Sequence, residues 1–254
     1  MIEISGNPVK PENLITDFAS DNTKRNIINL IAESTEQYNY DSIEQFKFEI
    51  NMRKEIINSS LELNKSKMEF ATFRKSKCNP DFWNRTEEGG FALKNGVKAS
   101  GAIRDIFANS SKYSTECATA LMIVYYKALL NIYPEALFNK SFSNMELMNW
   151  HHIDKLLREV GLMSARDDYF PGDRRYFVNP DVDPLTPQWQ GENVIDLNGE
   201  LYYGHGIGIY NAETIIRELN KNRSEGADES ARLKDSAGRP NFKKLADIYN
   251  NSNS

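Results

Sequence analysis

One stretch constrains this chain more than any other, because it reads as a β-hairpin whose register can be written down: Gly191-Glu192-Asn193-Val194-Ile195-Asp196-Leu197-Asn198-Gly199-Glu200-Leu201-Tyr202-Tyr203-Gly204-His205-Gly206. Asn198-Gly199 is the strongest short-range signal for a two-residue type I′ turn, since both central residues need φ > 0 and these two tolerate it best. Counting outward from that turn sets Glu192 directly across from His205, with Cβ atoms roughly 4.5–5.5 Å apart. A carboxylate beside an imidazole is what a nucleophile needs nearby. The candidate nucleophile is Cys117.

Cys117 opens the most apolar stretch of the chain. From Glu116 to about Tyr133 nearly every residue is apolar or aromatic, which predicts a helix buried on most sides, capped by Ser114 or Thr115. Cys117 then lies in the first turn, where free backbone N–H groups and the helix dipole are expected to lower a thiol's pKa from about 8.5. A lone cysteine at such a place is more often an inert core residue; the hairpin's carboxylate and imidazole tip the reading toward catalysis, in the layout of papain-like sites. The plainer reading of Glu192 and His205 is a solvated cross-strand ion pair. Cys78, in Lys75-Ser76-Lys77-Cys78-Asn79, has no base beside it and reads as an exposed bystander.

Net charge and cysteine use exclude several classes. With 31 Lys and Arg against 36 Asp and Glu, spread evenly, there is no basic patch to release counterions from nucleic acid. Two cysteines make no disulfide framework, and three histidines (His151, His152, His205) show no metal-ligand spacing, so reduced thiols, no metal and no cofactor are expected. The amino terminus lacks basic and apolar regions of a secretory signal, and no run reaches membrane-spanning length, which implies cytoplasmic synthesis and no membrane partner. Gly204-His205-Gly206-Ile207-Gly208 is not a dinucleotide loop, because no strand–loop–helix unit surrounds it.

In chain order, Pro11 and Ile27, Ile28, Leu30 and Ile31 predict short helices, and Ser42 with Gln45 caps a long amphipathic helix over 43–64. Residues 82–93 read as a second hairpin around Gly89-Gly90, and Ser100 as the cap of a helix carrying Ile103 and Ile106. Residues 142–157, with Trp150-His151-His152, show a mixed pattern that leaves strand and helix both open. The Pro- and Asp-rich 161–190 is an ordered loop around one strand, Arg175–Val178, and a helix through Ile215, Ile216 and Leu219 follows the hairpin. One α+β domain over 1–222 is expected, with a central antiparallel sheet and the buried cysteine helix, followed by a polar tail over 223–254, partly helical or frayed.

At Phe70-Ala71-Thr72-Phe73, Ala102-Ile103-Arg104-Asp105-Ile106, Glu116-Cys117-Ala118-Thr119-Ala120, Gln188-Trp189, Gly191-Glu192-Asn193-Val194-Ile195 and His205-Gly206 with Gly208-Ile209, the chain resembles the transglutaminases of spore-forming bacteria. These are protein-glutamine γ-glutamyltransferases associated with spore coats. The runs keep family order over roughly residues 4–220, and the segment beyond Arg223 departs from them. The resemblance implies a compact papain-like, NlpC/P60-related fold, calcium independence, and a site of Cys117, Glu192, Glu116 and His205. It also implies a narrow channel bordered by Phe70, Trp150 and Trp189, protein substrates presenting glutamine and lysine, a monomer, and a place in the spore coat.

Reference pKa values make proton transfer from Cys to Glu uphill by about 5.7 kcal/mol and to His by about 2.7 kcal/mol, which favours His205 as base. The resemblance favours Glu192, with Glu116 as auxiliary and His205 orienting Glu192 or shuttling protons. That requires a raised glutamate, a lowered thiol, or both. A cysteine amidase or peptidase using water as acceptor, and a noncatalytic coat or scaffold protein, are the rival readings.

Overall fold

The computed structural model describes residues 1–252. Its frame is two packed helices, one amphipathic and one almost wholly apolar, over a sheet. The helix Ile43–Lys65 begins at Ser42, whose hydroxyl accepts from the Gln45 N–H, and buries Phe46, Ile50, Met52, Ile56 and Ile57 among others. It packs against the helix Cys117–Ile132, twelve of whose sixteen residues are buried. A helix this apolar cannot face water on any broad side, so the fold closes around it.

Both helices cover one face of a five-stranded antiparallel sheet, in spatial order Gly208–Asn211, Leu201–Gly204, Gly191–Asn198, Arg174–Val178, Arg232–Leu233. Side chains alternate across it. Ile195 and Tyr203 join the main core under the helices, whereas Phe177, Val194 and Tyr202 pack on the other side with Ile215 and Leu219 of the helix Ala212–Asn220. Small two- and three-stranded sheets flank this frame. In one of them Glu69–Phe70 runs parallel to Ser114–Thr115, the residues just before the cysteine helix. The hairpin around Gly89 is also formed, with Trp83–Arg85 against Phe91–Leu93.

The main hairpin exists, but its register is one residue out of step with a turn on Asn198-Gly199. Ile195 faces Tyr203 and Val194 faces Gly204, with a bulge between Asp196 and Asn198. The central φ > 0 pair is Gly199-Glu200, and Asn198 is a third left-handed residue, at φ 87°. Asn198 is held there from both outside and inside the hairpin: its side-chain oxygen accepts from Asn26 at 3.1 Å, and its N–H donates to Asp196 of its own strand at 2.9 Å. Glu192 and His205 are therefore not a cross-strand pair; Glu192 pairs with Phe177 on the other side.

Residues 223–252 are built into the fold through the strands Arg232–Leu233 and Ser236–Ala237 and the helix Phe242–Ser252, which lies on Ile43–Lys65 with Phe242, Leu245 and Ala246 buried. Arg239 anchors this segment. It bonds Asp173 through Nε at 2.8 Å and Nη2 at 2.7 Å, and Asp173, fully buried, also receives Arg53 Nη1 at 2.9 Å. Burial alone would raise the Asp173 carboxyl, yet the Arg53 and Arg239 guanidiniums more than offset it and hold it below the usual range. A carboxyl held low adds stability that is present above its unfolded pKa of about 3.9 and is lost as the pH falls toward its folded value. Arg239→Ala is expected to cost about 3 kcal/mol, measured by urea unfolding at pH 7, and to flatten the loss of stability on acidification.

Candidate active site

The cysteine helix is capped by neither Ser114 nor Thr115. Their backbones are engaged with Glu69–Phe70, and Glu116 is the N-cap: its carboxylate accepts from Ala118 N–H at 2.6 Å and Thr119 N–H at 2.7 Å. Burial is the main reason that the expected lowering of the thiol fails, and the free N–H groups that would have favoured a thiolate are also answered by an anion already in place. Burial pushes the Cys117 thiol up, and the Glu192 and Glu116 carboxylates push it further. The donors that pull it back belong to Asn193, whose side-chain amide lies 3.4 Å from Sγ.

Cys117 is half-buried on a cavity of about 440 Å³ that also meets Phe70, Glu116, Trp150, Tyr176, Gln188 and Asn193. Thr119 holds one wall, since its hydroxyl accepts the Asn149 N–H at 3.0 Å and so fixes the residue before Trp150. Glu192 opens elsewhere. It lines a smaller cavity of about 70 Å³ with Phe70, Gln188, Trp189, His205, Gly206 and Ile207. Phe70 and Gln188 border both cavities, so the space over the sulfur and the space over the carboxylate adjoin.

Glu192 is 5% exposed and its Oε1 has no hydrogen-bond partner, which makes it an acceptor aimed at nothing in the protein. Burial first, and the Glu116 charge second, raise its carboxyl well above the usual range. Room for that carboxyl comes from Gly204, across the hairpin: a Cβ there would stand 2.8 Å from Oε1 and 2.9 Å from Cγ. His205 reaches the same small cavity because the strand ends at Gly204. It does not bond Glu192. Nε2 meets the Glu69 carbonyl at 3.2 Å and Nδ1 meets the Tyr203 hydroxyl at 3.3 Å. A carbonyl only accepts, so Nε2 carries the proton and Nδ1 accepts. Burial lowers this imidazole to about 4, which keeps it neutral at pH 7.

Of the other expectations, Trp150 and Phe70 stand on the sulfur's cavity, while Trp189 stands on the small one. Cys78 is not exposed but half-buried against the main core, and burial pushes its thiol up to about 11. His152 meets Glu146 at 3.3 Å, and it is His151 that lines the sulfur's cavity. Asn193, Arg174 and Tyr176 were not singled out by the sequence. The available signal was adjacent polar residues, Arg174-Arg175 and Glu192-Asn193, in strands buried on both faces. Among the described residues no group of three or more His, Cys, Asp or Glu is placed to hold a metal ion, and no helix is long and apolar enough to cross a membrane.

Residues 1–249 match the family model described as protein-glutamine gamma-glutamyltransferase. The chain belongs to this family. The match runs past Arg223, so the last segment is part of the family pattern as well as of the fold. Two relatives of that name, from Bacillus mycoides (strain KBAB4) and Bacillus cereus (strain G9842), are 44% and 43% identical over 237 and 241 residues. Those spans cover 92% and 94% of this chain, and 84% and 86% of theirs. The solved transglutaminase from Geobacillus stearothermophilus, without its C-terminal extension, superposes with a TM-score of 0.78 at 46% identity, covering 82% of this chain and 98% of that one. The likeness makes this a mixed α/β transglutaminase fold, with Cys117 and its two acidic neighbours inside the matched region.

Proposed function

We propose that this γ-glutamyltransferase joins protein-bound glutamine to lysine through a thioester on Cys117, with Glu192 as the base. The observation that carries the reading is the two-sided site: sulfur and carboxylate line adjoining cavities that meet at Phe70 and Gln188. A glutamine side chain enters the larger cavity. Sγ attacks its γ-carboxamide carbon, the thiol proton passes to Glu192, and that proton leaves with the amide nitrogen as ammonia. A thioester remains. A lysine ε-amine then attacks the thioester from the Glu192 side, gives a proton to the carboxylate, and displaces the sulfur, which takes the proton back as the isopeptide bond forms.

The raised carboxyl of Glu192 supports this assignment, because it narrows the gap that made glutamate a poor base for a thiol on reference values. The raised thiol supports it too, since a sulfur that stays protonated until substrate arrives suits transfer in step with attack. Glu116 is the auxiliary base, anchored by two backbone N–H groups, and neutral His205 walls the amine's cavity. Phe70, Trp150 and Trp189 keep water from the thioester. Calcium independence, a monomeric state and action at the spore coat belong to this reading on the sequence resemblance alone.

Incubating the enzyme with a glutamine-bearing protein and a fluorescent amine tests it. Incorporation is expected to be unchanged by a chelator, with ammonia release rising several-fold when amine is added. Equal release without amine would make the enzyme an amidase.

A further inference from the structure

We propose that Asn193 is a catalytic residue, donating from its side-chain amide to the Cys117 sulfur as that sulfur gains charge, and that Arg174 is the positioning residue that holds the amide in the donating orientation. An asparagine amide has a donor face and an acceptor face, and nothing in its shape says which one a neighbour meets. Here the other neighbour decides. Arg174 presents two N–H groups to the Asn193 oxygen, Nε at 2.9 Å and Nη2 at 2.8 Å, and a guanidinium has no acceptor. The oxygen is therefore fixed toward Arg174. The NH2 group must face the other way, where Sγ lies at 3.4 Å.

Arg174 is itself held on three sides. Its Nη1 donates to the carbonyls of Val160 at 2.9 Å and Gly161 at 3.2 Å, and its guanidinium carbon stands 3.9 Å over the Trp150 ring. Lysine could keep the charge there but not the fork. The donor matters because the rest of the site opposes charge on sulfur: Glu116 occupies the helix N–H groups, and two carboxylates face the thiol. When the thiol proton moves to Glu192, the charge left on sulfur meets the Asn193 amide. When the thioester breaks, the same amide supports the departing sulfur. A donor aligned before reaction costs no reorganisation when charge develops.

The inference rests on Cys117 being the nucleophile. Asn193→Ala removes the donor without adding charge. It is expected to lower kcat about 100-fold with KM for the glutamine substrate within threefold of wild type, and to slow alkylation of Cys117 by iodoacetamide at pH 8 at least tenfold. Asn193→Asp keeps a partner for Arg174 but turns an acceptor toward sulfur, so it is expected to fall below the alanine variant in both readouts. A merely structural role gives the opposite order, because the aspartate keeps the Arg174 contact. Arg174→Lys is expected to lower kcat about tenfold and slow alkylation with it; unchanged values in a folded Arg174→Lys chain remove Arg174 from the proposal. The proposal is overturned if the folded alanine variant turns over and is alkylated within threefold of wild type. Should that chain not fold, the aspartate variant within threefold of wild type overturns it equally. If Cys117→Ala is inactive while Asn193→Ala is unaffected, this inference alone falls; if Cys117→Ala is active, the nucleophile falls with it.

Discussion

Cys117→Ala is expected to abolish amine incorporation, lowering it by at least about 10⁴-fold, while the protein stays folded and still unfolds cooperatively. The size follows from what the sulfur does: without it no acyl group can be stored between departure of ammonia and arrival of the amine, and both half-reactions stop together. The fold is expected to survive because Cys117 is half-buried at a helix start, where alanine is well accommodated and the Glu116 cap does not depend on the thiol. Cys78→Ala is the matching control. Its thiol is packed against the core and held near 11, so it should supply no second nucleophile, and activity should be kept. Mass spectrometry of the enzyme trapped with a glutamine peptide should find the acyl adduct on Cys117 and none on Cys78. Persistent incorporation by the alanine variant would return the chain to the noncatalytic reading of its cysteine.

The parts of this protein that can be read from its sequence are those decided locally. A long apolar run makes a buried helix wherever it sits, and Asn198-Gly199 marks a reversal because few other residue pairs tolerate it. Register is decided elsewhere. The bond from Asn26, 172 positions away in sequence, draws Asn198 out of the turn's centre and shifts the cross-strand pairs by one residue. The cap of the cysteine helix was lost for a similar reason: Ser114 and Thr115 are better local caps, but pairing with Glu69–Phe70 had already engaged their backbone. The expected pairing of Glu192 with His205 does not form; the two meet only at the small cavity, which His205 reaches because the chain leaves the sheet after Gly204. Asn193 carries no local signature. Its part depends on which way an amide points, and that is fixed by Arg174 on the neighbouring strand.

Charge explains why the site takes this form. Four of its groups could carry charge, yet the two carboxylates stand near a thiol they oppose, and the imidazole is kept neutral by burial. Such a site is poor at holding a free thiolate and well suited to moving one proton between sulfur and carboxylate.

Glu192→Gln separates these two properties, and its two effects should run in opposite directions. Turnover is expected to fall by about 10²–10⁴-fold, the range for loss of a positioned general base. The thiol should nonetheless titrate lower than in wild type, because a charge that pushes it up has gone. The pH at which iodoacetamide alkylation of Cys117 reaches half its maximum rate should move down while catalysis collapses. The pH profile supplies the sign. In wild type, turnover rises as Glu192 loses its proton, and since burial and Glu116 hold that carboxyl well above 4.5, the rise should lie above the ordinary carboxylate range. That limb should be missing from the residual activity of the glutamine variant. If the variant kept the rising limb and turned over within a few-fold of wild type, the base would have to be sought at Glu116 or His205.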